Sequence, residues 1–293
     1  MSRIGAFART TFMFLFMFGL FAAVGWIVGT YFIGNWVVGA LVFLIIAGLI
    51  NFISYFFSSK IVLFTYRAKI VDELEAPRLY RIVRNVAQKA NMPMPKVAII
   101  PSQTPNAFAT GRNPKNATVA ATQGILDLLN DNELEGVMAH EMAHVRNRDV
   151  LVMTIAATLA GAISFAARWA LYGAMFGGRD QNSGNVILLL ILAITAPIAA
   201  ILIQLAISRS REFGADEDGA LIIGRPLYLA SALKKLEEGN RRRPMQMGNP
   251  TTSSLFIVNP FRGGSFVRLF MTHPPIEMRI ERLKKMAADM GQF

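Results

Sequence analysis

The sequence predicts a predominantly helical α+β fold anchored in a membrane by about four transmembrane helices, and three observations predict it. Hydrophobic residues make up 53% of the 293 positions and charged ones only 17%, with a mean hydropathy of +0.40, values of a membrane protein rather than a soluble enzyme. Thr10 to Ser59, Val150 to Ala167 and Val186 to Ser208 carry no charged residue, and a spanning helix needs about 20 apolar residues. The polar stretches between and after these runs show helical and strand periodicities around His140-Glu141-Met142-Ala143-His144.

Taken in order, residues 1–59 read as a transmembrane hairpin, two helices joined by a tight turn at Gly34-Asn35. The run is too long for a signal-peptide core of about 7–15 residues and has no evident cleavage site, so it is expected to remain attached. Residues 60–149 form the first part of a polar domain. Pro77 to Ala90 predicts an amphipathic helix, Lys96 to Ile100 a strand, Thr118 to Ala121 a second strand, and a helix begins near Gln123. Pro101, Pro105, Gly111 and Pro114 punctuate the loops. Residues 150–208 contain two further hydrophobic helices, the first the shorter and closed by Arg168. Residues 209–293 form the second part of the polar domain, with helices over Glu212 to Ile223, Pro226 to Glu238 and Ile276 to Met290. Arg241 to Ser254 reads as a mobile loop whose basic triplet faces solvent or anionic lipid.

The formal charge is +11, and its placement argues for membrane topology rather than nucleic acid. Arg3, Arg9, Lys60, Arg67, Lys69, Arg146, Arg148, Arg209 and Arg211 flank the runs on one side, whereas the opposite loops, Tyr31 to Asn35 and Gly177 to Asn185, carry only the Arg179/Asp180 pair. The positive-inside rule places both termini and the polar domain in the cytoplasm. The absence of cysteine fits a reducing compartment and removes thiolates as metal ligands.

Of the three histidines, two lie four residues apart in the His140 to His144 motif, on one helical face with a carboxylate beside them. Asn130 or Asp131 caps that helix, and Glu133 and Glu135 sit in its first turns. Neutral imidazoles suit Zn²⁺, which activates a water, and Glu141 is placed to take its proton. The metzincin continuation is absent, since Asn147 and Val150 replace its Gly and third His, so the third ligand is distant. In Ser208 to Asp216, Glu212 and Asp216 share a helical face; one binds the metal while the other orients a histidine. His273, followed by Pro274-Pro275, serves better as a donor to the oxyanion of an attacked carbonyl than as a ligand, with Arg279 a competing candidate and a plain turn role equally open.

These residues resemble the HtpX family, bacterial membrane zinc metalloproteases related to the CaaX prenyl proteases. The resemblance rests on the N-terminal hairpin, Pro105-Asn106-Ala107-Phe108-Ala109, the His140 to His144 motif, two hydrophobic runs, Arg211-Glu212-Phe213 with Ala215-Asp216, and Thr272-His273-Pro274-Pro275 before Arg279-Ile280; Gly214 stands where relatives often have a bulkier polar residue. It implies a gluzincin-like zincin domain with one Zn²⁺ on His140, His144 and Glu212, Glu141 as catalytic base and Asp216 behind the ligands. The implied activity is endopeptidic cleavage of misfolded or damaged membrane proteins at the inner membrane, as part of quality control and the stress response.

Substrate is expected to add as a strand against Asn106 to Thr110 or Thr118 to Thr122; the resemblance favours Asn106-Ala107-Phe108, with packing an equal role for Phe108. Expected partners are unfolded and membrane-protein substrates and the lipid bilayer, with no nucleic acid; a homo-oligomer or association with other membrane proteases is compatible with the chain. The alternatives are a CaaX-type protease, for which four spans are few, and a scaffold or channel with a structural metal, for which a fourth ligand is wanting.

Overall fold

In the computed structural model the residues described are 34–111, 113–149, 208–242, 257–258 and 273–292, with isolated positions between 19 and 30 and at 205. The hydrophobic runs predicted over 150–167 and 186–208, and the first arm of the hairpin, lie almost wholly outside them. The chain divides into two compact units, Met1–Tyr55 with Leu151–Ile207, and Phe56–Val150 with Ser208–Phe293.

In the first unit Gly34 has φ 74°, a conformation glycine adopts without cost. The Asn35 side chain then accepts from the N–H groups of Val37 at 3.0 Å and Val38 at 3.2 Å, starting helix α1, Trp36–Thr65. A Cβ on Gly39 would lie 2.3 Å from the Gly25 carbonyl oxygen, so the residues before and after the turn touch through their backbones. Counted over described residues alone, no helix is long and apolar enough to cross a membrane. Helix α1 has 30 residues and a single charged one, Lys60.

The second unit is built on a four-stranded sheet. Its strands are β1 (Lys69–Val71), β2 (Lys96–Ile100), β3 (Ala107–Gly111) and β4 (Ala117–Thr122), in the order β1-β2-β4-β3. β2 and β4 are parallel, and β1 and β3 run antiparallel to their neighbours. The sequence pattern located β2 and β4. It missed β1, which is too short to show a period, and left β3 as one of two candidate edges because alanine and glycine carry little strand signal.

Both sheet faces are covered. Ala98, Ile100, Phe108 and Ala120 pack with Tyr66 and the last turns of α1 through Val62 and Leu63. Val97, Ala107, Ala109, Val119 and Ala121 face the helices in the main core. Helix α2 (Pro77–Lys89) opens with proline and buries Leu79, Ile82, Val83, Val86 and Ala87, the spacing of one helical stripe. A short α3 (Gln123–Leu128) leads into α4, Asp131–Asn147.

Asn130 is the cap of α4: its side chain accepts from Glu133 N–H at 2.9 Å while Glu133 accepts from Asn130 N–H at 3.0 Å, a reciprocal capping box. Helix α5 covers residues 208–223, beginning before the predicted Glu212, and ends at Gly224 with φ 68°. Helix α6 (Pro226–Arg242) runs past the predicted Glu238. Arg241 and Arg242 are therefore its last turn rather than the start of a loop, where cations complement the helix C-terminus. Helix α7, Ile276–Asp289, packs on α5, with the Arg282 guanidinium 3.8 Å from the centre of the Phe213 ring.

Candidate active site

Helices α4 and α5 cross at Gly219, where a Cβ would lie 2.8 Å from the backbone nitrogen of His140. Only glycine permits that approach, and it carries the polar face of α5 onto the His140 to His144 face of α4. His140, His144 and Glu212 then present one ligand atom each within 4.8 Å of one another. The His140 and His144 Nε2 atoms are 3.1 Å apart, and Glu212 Oε1 is 3.3 Å from His144 Nε2.

Each imidazole is held from behind by a carboxylate that is itself held by a guanidinium. His140 Nδ1 lies 3.0 Å from Asp216 Oδ1, and Arg279 grips both Asp216 oxygens through Nε and Nη2 at 2.8 and 2.7 Å. His144 Nδ1 lies 2.8 Å from Asp149 Oδ2, whose other oxygen receives Arg211 Nη1 at 2.5 Å. With the Nδ1 protons directed at carboxylates, both Nε2 lone pairs point into the cluster. Asp149 reaches back to His144 because Arg148, the C-cap of α4, takes a left-handed conformation with φ 58°. Sequence reasoning missed Asp149 and quoted Arg211 without its role of holding it; the acidic residue just past a helix end was the available signal.

Two lone pairs and a carboxylate meeting at one point repel unless a cation lies between them. Four buried carboxylates, Glu141, Asp149, Glu212 and Asp216, surround the point, with the guanidinium groups of Arg211 and Arg279 beside two of them. Glu141 Oε1 is buried without a hydrogen-bond partner, and the buried Glu212 Oε2 lies 3.0 Å from His273 Nδ1 and 3.4 Å from Arg279 Nη1. The donor set, two imidazoles and a carboxylate with no cysteine in the chain, suits a divalent metal of zinc type. The residues therefore fit a metal.

Electrostatics follow the same arrangement. Burial raises the Glu141 carboxyl above its ordinary range, against the pull of His140 and His144 and of the Ala109 backbone N–H. Burial opposes the charge on His144, yet Asp149 and Glu212 hold its pKa well above the usual value. Burial also opposes ionisation of Glu212, but His273 and His144 keep its carboxyl well below the usual range.

Of the residues singled out from sequence, His140, Glu141, His144, Glu212, Asp216, His273 and Arg279 gather here. Arg279 is fully buried, with donors directed at Asp216 and at the Ile257 carbonyl, 2.8 Å from Nη1. His273 is buried as well, with Nδ1 3.0 Å from Glu212 Oε2. Asn106, Ala107 and Phe108 have fully buried side chains. Phe108 points away from α4, its ring 5.8 Å from that of Tyr66, so this segment can meet a substrate only through the backbone edge of β3.

This split His-Glu-His and Glu arrangement on a four-stranded sheet defines a metal-dependent peptidase, and the comparisons with known proteins agree. Residues 73–287 match the model of Peptidase family M48, and the chain belongs to that family: it is a metalloprotease. A protease HtpX homolog of Thermococcus sibiricus is 53% identical over 293 residues, 98% of each chain. Another, of Thermococcus kodakarensis, is 60% identical over 246 residues, 83% of this chain and 85% of its own. The crystal structure of S. mikatae Ste24p shares the fold with a TM-score of 0.56 at 18% identity, covering 96% of this chain and 67% of that one.

Proposed function

We propose that this chain is a membrane-embedded zinc endopeptidase that hydrolyses misfolded or damaged membrane proteins, its catalytic groups on the cytoplasmic side. The observation that carries the reading is the convergence of His140, His144 and Glu212 with the buried Glu141 beside the outer edge of β3. His140 and His144 through Nε2, and Glu212 through its carboxylate, would hold the metal. When bound, zinc supplies Lewis-acid polarisation and lowers the pKa of water to about 7.

The chain's own residues do the rest. Glu141 takes a proton from the attacking water and delivers it to the leaving amine, a task that suits a carboxyl whose pKa burial has raised toward neutrality. Asp216 with Arg279, and Asp149 with Arg211, hold the imidazole tautomers and rings in place. His273 serves as a donor to the negative charge that develops on the scissile carbonyl. The β3 edge recognises an extended peptide through main-chain hydrogen bonds, which makes little demand on side chains and suits unfolded substrates. A structural metal would normally have four protein ligands, and the cluster among the described residues has three.

The membrane reading rests on α1 and on the uncharged runs. At about 1.5 Å per residue, its 30 residues exceed the roughly 30 Å of a hydrocarbon core. Trp36, Leu41, Ile45, Leu49 and Phe52 are each more than half exposed, as lipid-facing side chains are. With the runs at 150–167 and 186–208 the chain has about four spans, and the basic flanks face the cytoplasm.

The test is casein cleavage by metal-stripped protein in detergent before and after Zn²⁺ is added. Cleavage that requires zinc and stops with chelator supports the reading. Stoichiometric zinc without cleavage, removable only as the polar unit unfolds, would show a structural metal.

A further inference from the structure

Strand β3 has β4 on one side and no strand on the other among the described residues. Phe108 opposes Ala120 and Thr110 opposes Thr118, and the Thr122 N–H donates to the Asn106 carbonyl at 2.9 Å. Residues 106, 108 and 110 therefore bond to β4, and in an antiparallel ladder the residues between them turn their backbone groups outward. The outward groups are those of Ala107, Ala109 and Gly111. The Ala109 N–H lies against the Glu141 carboxylate. The Ala107 carbonyl, about 7 Å back along the same edge, accepts from the Ile257 N–H at 3.2 Å.

Ile257 is held there from three sides. Its own carbonyl accepts from Arg279 Nη1 at 2.8 Å, and the Val258 carbonyl accepts from Asn106 Nδ2 at 2.6 Å. Its side chain is buried in the core cluster that includes Ala107 and Ala139. An extended peptide crossing in front of Glu141 meets the same carbonyl that Ile257 uses.

The geometry points to Ile257 and Val258 as an intramolecular occupant of the seat that a substrate strand takes on β3, so that the resting site blocks itself and substrate enters as the Ile257 N–H leaves the Ala107 carbonyl. This rests on the strand-addition reading above. Because Arg279 holds both the Ile257 carbonyl and Asp216, the seat is tied to the residue that orients His140.

The test compares Ile257→Pro with Ile257→Ala in the full chain in detergent, on a Glu141→Gln background that does not turn substrate over. Both variants lose the side chain, but only proline lacks the donor. Fluorescence anisotropy of a labelled β-casein fragment is expected to show binding roughly 3- to 10-fold tighter to the proline variant, the scale of one lost competing hydrogen bond. Should the proline variant not fold, Ala107→Cys with Ile257→Cys in the otherwise cysteine-free chain decides: the oxidised form is expected to lose peptide binding and regain it on reduction. Equal or weaker binding by a folded proline variant, or full binding by the crosslinked form, overturns the proposal. Wild-type chain that fails to cleave casein with zinc defeats the functional reading itself, and the proposal with it.

Discussion

A fully buried arginine beside a cation site repels the cation unless its charge is neutralised, and Arg279 is neutralised by the two-oxygen grip on Asp216. Removing it would leave the buried Asp216 carboxylate with His140 Nδ1 alone, at a cost of about 3–5 kcal/mol; Arg279→Ala should show this as a large drop in the thermal unfolding midpoint. Asp149→Asn should fold normally yet bind zinc about 10- to 100-fold more weakly, measured by competition with a chromogenic chelator, because His144 loses the partner that fixes its tautomer. His140, Glu141 and His144 were legible because helix periodicity alone puts i and i+4 on one face. Asp149 was not, since its approach to His144 depends on a left-handed turn at Arg148 that an arginine does not advertise. Arg279 was noticed in the sequence, but its work of holding Asp216 depends on a tertiary contact between α5 and α7.

At the scale of elements, the site depends on how closely α5 and α6 approach α4. Gly219 meets His140, and Gly136 on the other side meets Leu229 of α6, where a Cβ would lie 2.7 Å from its nitrogen. Gly219→Ala should therefore cost about 1–3 kcal/mol through forced separation of the helices and weaken metal binding at the same time, which calorimetric zinc titration would detect. The start of α4 makes a pH prediction. Burial pushes the Glu133 carboxyl up, but Lys235, Ser231 and the Asn130 N–H outweigh it and hold the pKa below the ordinary 4.5. A carboxyl depressed in the folded state contributes stability above its unfolded pKa and loses it as pH falls through the folded one. Glu133→Gln should lower the unfolding midpoint near neutrality, and the gap from wild type should shrink as the pH falls below about 4.5. Helices α2, α6 and α7 were readable from amphipathic spacing, whereas β1 has only three residues and β3 is built of alanine, glycine and single larger residues that carry little strand signal.

Over the whole molecule, composition and the uncharged runs carry the proposed membrane location, and α1 offers a place to test it. A carbene-generating lipid probe in reconstituted vesicles should label peptides from residues 36–56 and leave those of α2 unlabelled; the reverse pattern would contradict the lipid-facing reading of α1. The catalytic assembly, split in sequence by residues 150–207, could be inferred only because neither polar half holds a complete ligand set. In the proposed mechanism Glu141 acts on the proton of the attacking water beside a metal held by His140, His144 and Glu212. The most direct measurement is casein cleavage by zinc-loaded wild type and Glu141→Gln, with bound metal quantified in both. Cleavage reduced at least about 100-fold in the variant, with zinc content unchanged, is the expected result; a variant that retains both its zinc and wild-type cleavage would rule out Glu141 as the base.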